Sequence, residues 1–85
     1  MNKQKPKNTC SKRVKILRVT KEMTQADLAA ELSVEVGMEM NQRSISLIEK
    51  GTRFVKDFEL LALAKILDAH PMYLMFGDKI PAKYK

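Results

Sequence analysis

Near the middle of this 85-residue chain, Gln42 and Arg43 stand side by side. Each carries a forked hydrogen-bonding group. The Gln42 amide donates and accepts in one plane, which matches the edge of an adenine; the Arg43 guanidinium donates twice, which matches a guanine. Other reactive residue types do not assemble into an active site. Cys10 and His70 are the sole cysteine and histidine, so one chain offers no ordinary zinc site, and neither a metal nor a cofactor is expected. The acidic residues are scattered among basic ones, and no P-loop or other glycine-rich phosphate cradle occurs. No catalytic residue is assigned, and the chain is not expected to be an enzyme. His70 precedes Pro71 and reads as a residue at a helix start. Cys10 can form no disulfide within the chain, which suits a reducing cytoplasm, and with no identifiable partner it reads as inert.

Size and charge narrow the choice further. A chain this short buries about 60–65% of its unfolded surface, too little for a deep substrate cavity. Hydrophobic residues make up 45% of it and aromatic ones 6%, with three glycines and three prolines. That composition favours helices packed through aliphatic side chains. The formal charge is +6, and residues 1–21 hold eight of the sixteen basic residues and no acid. The other eight face ten acidic residues, a net of −2. A basic N-terminal run attracts a polyanion, either nucleic acid or an anionic membrane; a solvated tail is the plainer alternative. No apolar run is long enough to span a bilayer and no secretory signal opens the chain, so a cytoplasmic protein without a membrane segment is expected.

The elements that must hold Gln42 and Arg43 follow from periodicity and caps. Residues 1–8 read as a flexible basic arm, 9–77 as one domain and 78–85 as a tail. Thr9 or Ser11 can cap a first helix running to about Lys21, with Val14, Leu17, Ile16 and Val19 supplying its apolar face. Lys21–Met23 is a connector. Thr24 caps a second helix, Asp27 standing three residues on as in a capping box, and Leu28, Ala29 and Leu32 share one face. In Ser33–Met40 apolar and other residues alternate as in a strand, but Gly37 and the short length point to an extended loop with its apolar members tucked inward. Asn41 caps a third helix, Gln42–Lys50, with Ile45 and Ile48 inward and Gly51 as its left-handed stop. Thr52–Lys56 is a loop. Leu60, Leu63, Ala64 and Leu67 make the clearest helical stripe, in a fourth helix spanning about Asp57–Leu67 with Asp57 and Glu59 at its positive end. Pro71 can open a fifth helix that ends at Gly77. The fold expected is all-α, five compact helices.

Three segments in this order carry a resemblance: Met23–Ala29 (Met-Thr-Gln-Ala-Asp-Leu-Ala), Ser44–Gly51 (Ser-Ile-Ser-Leu-Ile-Glu-Lys-Gly), and the Leu60–Leu67 stripe. As a set they resemble the lambda-repressor/Cro-type helix-turn-helix family, often called the XRE family, over about residues 10–77. One departure is plain: 16 residues separate Leu28 from Ile45, several more than the family's compact turn, with the extra ones in Ser33–Met40. The resemblance implies a lambda-repressor-like domain with an extended turn inside its helix-turn-helix. It also implies sequence-specific binding of double-stranded DNA by a small transcriptional regulator, a repressor by the family's commoner role.

What the resemblance implies for single residues is specific. The third helix would lie in the major groove, with Gln42, Arg43, Ser46 and Leu47 toward the bases. Arg43 serves either a base or a phosphate, Ser46 either a base or plain solvent, and Leu47 either a thymine methyl or a buried contact. Thr24, Gln25, Lys50, Thr52 (through its backbone N–H) and Arg53 would meet the DNA backbone. Arg18 and Glu49 would form a structural ion pair orienting the third helix. Lys3, Lys5 and Lys7 would wrap the duplex. One module covers only about 600–1,000 Å² of DNA-facing surface, so a homodimer on a palindromic operator is expected. Pro71, Met72, Tyr73 and Phe76 are its candidate interface, although Tyr73 can instead complete the monomer core. Two alternatives share the fold: an antitoxin-type regulator that also binds a partner toxin, and a protein-interaction module that no longer reads DNA.

Overall fold

The computed structural model describes residues 10–77, which form five helices: α1 (Ser11–Thr20), α2 (Gln25–Val36), α3 (Gln42–Lys50), α4 (Asp57–Ile66) and α5 (Pro71–Phe76). No strand occurs among the described residues. The expected arm of residues 1–8, Thr9 and the tail 78–85 lie outside them. Around one core, α2 packs on α3 and α4, α1 on α3, and α4 on α5. Val14, Leu28, Leu32, Ile45, Ile48, Leu63 and Leu74 are fully buried, so every helix contributes at least one side chain to the centre. Each such side chain contributes about 1.5–3 kcal/mol through its removal from water.

Local chemistry sets the helix ends. Thr24 Oγ accepts the Asp27 N–H at 3.0 Å while Asp27 Oδ2 accepts the Thr24 N–H at 2.9 Å, a complete capping box. The Thr24 N–H and hydroxyl, both hydrogen-bonded to the Asp27 carboxylate, hold that carboxyl below its usual range. Asn41 and Ser44 repeat the arrangement at the start of α3. At the start of α5, His70 Nδ1 accepts the Met72 N–H at 3.0 Å and Pro71 occupies the first helical position, where no N–H is needed. The first helix differs from expectation. Cys10, not Thr9 or Ser11, stands at its N-cap, with no side-chain capping bond, and Ser11 is the buried first residue of the helix. Burial raises the Cys10 thiol above its ordinary pKa. Ile16 and Val19 are also not part of the inward face; they are 51% and 55% exposed, and α1 buries Val14 and half-buries Leu17 instead.

The largest correction concerns Ser33–Met40. The helix does not give way to a loop after Leu32 but continues for another turn to Val36. The alternation is incidental to a helix. Leu28, Leu32 and Val36 fall at i, i+4 and i+8, and Val36 packs on the core while Val34 points away, 82% exposed. Ser33 fastens the end: its hydroxyl donates to the Ala29 carbonyl at 2.8 Å and accepts the Met40 N–H at 2.8 Å. Gly37 then adopts φ 70°, a left-handed stop that donates to the Ser33 carbonyl. Half of Ser33–Met40 is therefore helix, and residues 37–41 alone connect α2 to α3.

Burial separates the two assignments experimentally. Leu32→Ala is expected to cost about 2–5 kcal/mol in urea unfolding, and Val34→Ala to stay within about 0.5 kcal/mol of the parent. A loss of more than about 1 kcal/mol at Val34 would contradict its outward position.

Candidate nucleic-acid interface

The exposed tip of α3 is built by its cap. Asn41 Oδ1 accepts the Ser44 N–H at 2.9 Å and Ser44 Oγ faces the Asn41 N–H at 3.4 Å, so the first turn is fixed with Gln42 and Arg43 exposed on it. One helical face, Ile45 and Ile48, is anchored in the core. Ser46 and Leu47 are half-buried, and Leu47 is neither in the core cluster nor among the apolar residues packed against it. At the other end Gly51 turns left-handed at φ 77°, and the Thr52 N–H returns to the Leu47 carbonyl at 3.0 Å. That closure is the six-residue loop of a Schellman stop.

Behind the tip runs a chain of hydrogen bonds through three helices. Arg18 of α1, only 9% exposed, grips Glu49 of α3 with Nε on Oε2 at 2.7 Å and Nη2 on Oε1 at 3.1 Å. Its Nη1 donates to the Met23 carbonyl at 2.8 Å, which ties down the α1–α2 connector. The Glu49 hydrogen bond raises the Arg18 pKa further above an already high value, so the guanidinium stays charged. Gln25, the first residue of α2, donates Nε2 to Glu49 Oε1 at 3.1 Å. Gln42 in turn donates Nε2 to Gln25 Oε1 at 3.5 Å. The order fixes each amide's direction. Glu49 can only accept, so Gln25 must turn its NH₂ inward and its oxygen outward, and that oxygen meets the Gln42 NH₂. One hydrogen on Gln42 Nε2 and its carbonyl oxygen then stay in plane for an outside partner.

No family model matches the sequence. Among solved structures, the chain is similar to the P22 c2 repressor protein, crystallised in complex with synthetic operator 9T in the presence of Tl+. The two share 30% identity over 84% of this chain and 98% of that one, with a TM-score of 0.65. The chain belongs to the lambda-repressor/Cro-type helix-turn-helix family. Its all-helical five-helix architecture matches that repressor's fold. Among the described residues no helix is long and apolar enough to cross a membrane.

Within this helix-turn-helix frame the other residues singled out from sequence separate. Lys50 is exposed in the last turn of α3. Thr24 directs both its N–H and its hydroxyl at Asp27 in the cap of α2. Two of the residues expected at the DNA backbone have partners inside the chain. The Thr52 N–H, expected to face a phosphate, is engaged by Leu47. The Arg53 guanidinium, expected beside it, is turned inward onto Glu59, with Nη1 and Nη2 each 2.9 Å from a carboxylate oxygen, and Nη1 also reaches the Phe54 carbonyl at 3.1 Å. Glu59 is 1% exposed and accepts the Lys56 N–H as well, so it needs that cation. Arg13 is likewise intramolecular, donating to the carbonyls of Leu74 and Met75 at 3.2 and 3.4 Å. In α5, Leu74 is the buried residue while Pro71, Met72, Tyr73 and Phe76 are half-buried. Lys3, Lys5 and Lys7 lie outside the described residues.

The Arg53–Glu59 pair and the Gln25–Glu49 link were not legible from sequence. Glu59 shows only as an acidic first-turn residue, and no spacing rule reports a bond between the ends of different helices.

Two measurements test these pairs. Arg18→Met leaves Glu49 without its cation and is expected to cost about 3–5 kcal/mol, while Arg18→Met with Glu49→Leu recovers much of that loss. For Glu59, burial alone would raise the carboxyl pKa; Arg53, the Lys56 amide and nearby positive charge outweigh it, and the group sits below its usual range. Its stabilising contribution is therefore complete above the unfolded value of roughly 4.3 and lost as pH falls through the lower folded value. Stability is expected to fall more steeply below about pH 4.3 in the parent than in Glu59→Gln. Parallel pH curves would contradict the assignment.

Proposed function

We propose that this protein binds double-stranded DNA with sequence preference through α3 and acts as a transcriptional repressor. One observation carries the reading: a family member 30% identical over 84% of the chain is a repressor solved on its operator. The tip of α3 supports it with the chemistry required. Gln42, its amide already turned by Gln25, has one N–H and its carbonyl oxygen left for the N7 and N6 edge of an adenine. Arg43 extends beside it and fits a guanine or the adjoining phosphate. Ser46 and Leu47 follow along the same exposed side, Leu47 offering apolar contact to a thymine methyl.

At the start of α2 Gln25, through its backbone N–H, and Thr24, with Lys50 at the end of α3, would supply the phosphate contacts that fix register without reading sequence. Lys3, Lys5 and Lys7 would add sequence-independent attraction. Pro71, Met72, Tyr73 and Phe76 would join two copies on a palindrome with half-sites about 34 Å apart. The location implied is the cytoplasm.

Selection of bound sequences from random duplex DNA is expected to enrich a short motif containing an A·T pair read by Gln42. Gln42→Ala should weaken binding to that motif by about 1–3 kcal/mol, or roughly 5- to 150-fold, and relax preference at one position. Lys50→Ala should instead weaken all sequences alike and flatten the log–log salt slope by about 0.9. Failure to enrich any motif, together with unchanged affinity in both variants, would overturn the reading.

A further inference from the structure

Two exposed helix faces outside the DNA-reading tip and the α5 surface complement each other. On α1, Lys12, Lys15, Ile16 and Val19 fall at i, i+3, i+4 and i+7, all exposed, which makes one basic and apolar stripe. On α2, Ala30, Glu31, Val34 and Glu35 fall at i, i+1, i+4 and i+5, all exposed. With half-buried Ile66 of α4 they line an open groove of about 320 Å³ whose surface is mostly apolar. Val34 is the most exposed large hydrophobic side chain among the described residues at 82%. Glu31 and Glu35 supply acid beside that apolar floor. Glu35 is partly neutralised by Lys65 at 3.1 Å, whereas Glu31, Lys12 and Lys15 form no ion pair among the described residues.

We infer that the α1 stripe of one copy of this chain docks in the α2–α4 groove of another. Ile16 and Val19 would lie against Val34, Ala30 and Ile66, and Lys12 and Lys15 would face Glu31 and Glu35. The matching charges name the occupant. The groove asks for a helix with apolar side chains flanked by cations, and α1 presents that combination already folded. The two faces differ, so the contact is heterologous: each copy offers a second stripe and a second groove, and association does not stop at two chains. A contact one helix wide belongs to the small, transient class below about 1,200 Å², too weak to persist in dilute solution. Two copies held side by side on one duplex experience an effective concentration in the millimolar range, where such a contact forms. This last step rests on the DNA-binding reading; the docking itself does not. The consequence is cooperative occupancy of neighbouring sites by a chain with no separate oligomerisation domain among its described residues.

The test uses the full chain, stripped of nucleic acid, in sedimentation equilibrium at up to about 1 mM. Two variants are made: Glu31→Lys with Glu35→Lys, and Lys12→Glu with Lys15→Glu. The parent is expected to reach a weight-average mass above that of two chains and to fall back several-fold in association constant between about 0.05 and 0.5 M salt. Each variant alone should lose all mass beyond the dimer. Their equimolar mixture should regain it, because every stripe then meets a groove of opposite charge, and that recovery also shows that both variants are folded. A parent that never exceeds two chains, variants that still assemble alone, a mixture that does not recover, or salt-insensitive assembly would each overturn the inference. No DNA is present, so failure here leaves the operator-selection test untouched, and failure there leaves this one standing.

Discussion

The contact between Arg18 and Glu49 is the constraint on which the rest of this structure turns. It joins the first helix to the third at bonding distances of 2.7 and 3.1 Å, in a site where both groups have almost no water. Removing two charges from water is costly, so the pair need not add net stability. What it supplies is direction. Glu49 sits one residue beyond Ile48, which is buried, and the guanidinium therefore sets the rotation of α3 about an axis already pinned by the core. The same carboxylate then orders Gln25 and, through it, Gln42. Orientation of the exposed tip is decided in the interior, by an acceptor that has no proton to give.

A second pair fastens the loop that follows α3. Arg53 and Glu59 connect the loop after Gly51 to the first turn of α4, and the Lys56 amide completes the carboxylate's shell. The C-terminal half of α3 thus carries one buried carboxylate, Glu49, and the loop that follows it is tied to a second, Glu59. The N-terminal half of α3 carries a reciprocal cap and no buried charge. A helix so arranged presents its first turn outward on a rigid base, which is the distribution a reading element needs: preorganised behind, polar and available in front.

Much of this was legible in the sequence, for reasons that can be named. Caps are local, and Thr24 with Asp27, Asn41 before Gln42, and Gly51 after Lys50 announce their helix ends within a few residues. The stripe ending at Leu67 is periodic and needed no context. Arg18 and Glu49 were linked only through the family pattern, since nothing in their types states that residues 31 apart will touch. The failures are equally physical. Val34, Val36, Met38 and Met40 alternate as in a strand and Gly37 suggests a loop from Ser33 on, whereas packing of Val36 on the core one turn after Leu32 decides for a helix. Ile16 and Val19 were read as core from hydrophobicity alone, although α1 has room for one buried stripe and Val14 fills it. Position beside a turn suggests Arg53 for the DNA backbone, and it does not reveal that a buried Glu59 six residues on takes up the same guanidinium.

The direction imposed on Gln42 limits what can replace it. Gln25 offers that neighbour an oxygen, so a successor at position 42 must bring a hydrogen to the inner side before it can address anything outside. Asn, Ser, Lys or Arg satisfies that condition with different reach. A glutamate would set two oxygens against each other, and a leucine would leave the Gln25 carbonyl to water. The side chains permitted at the tip of α3 are therefore decided partly by a residue on another helix.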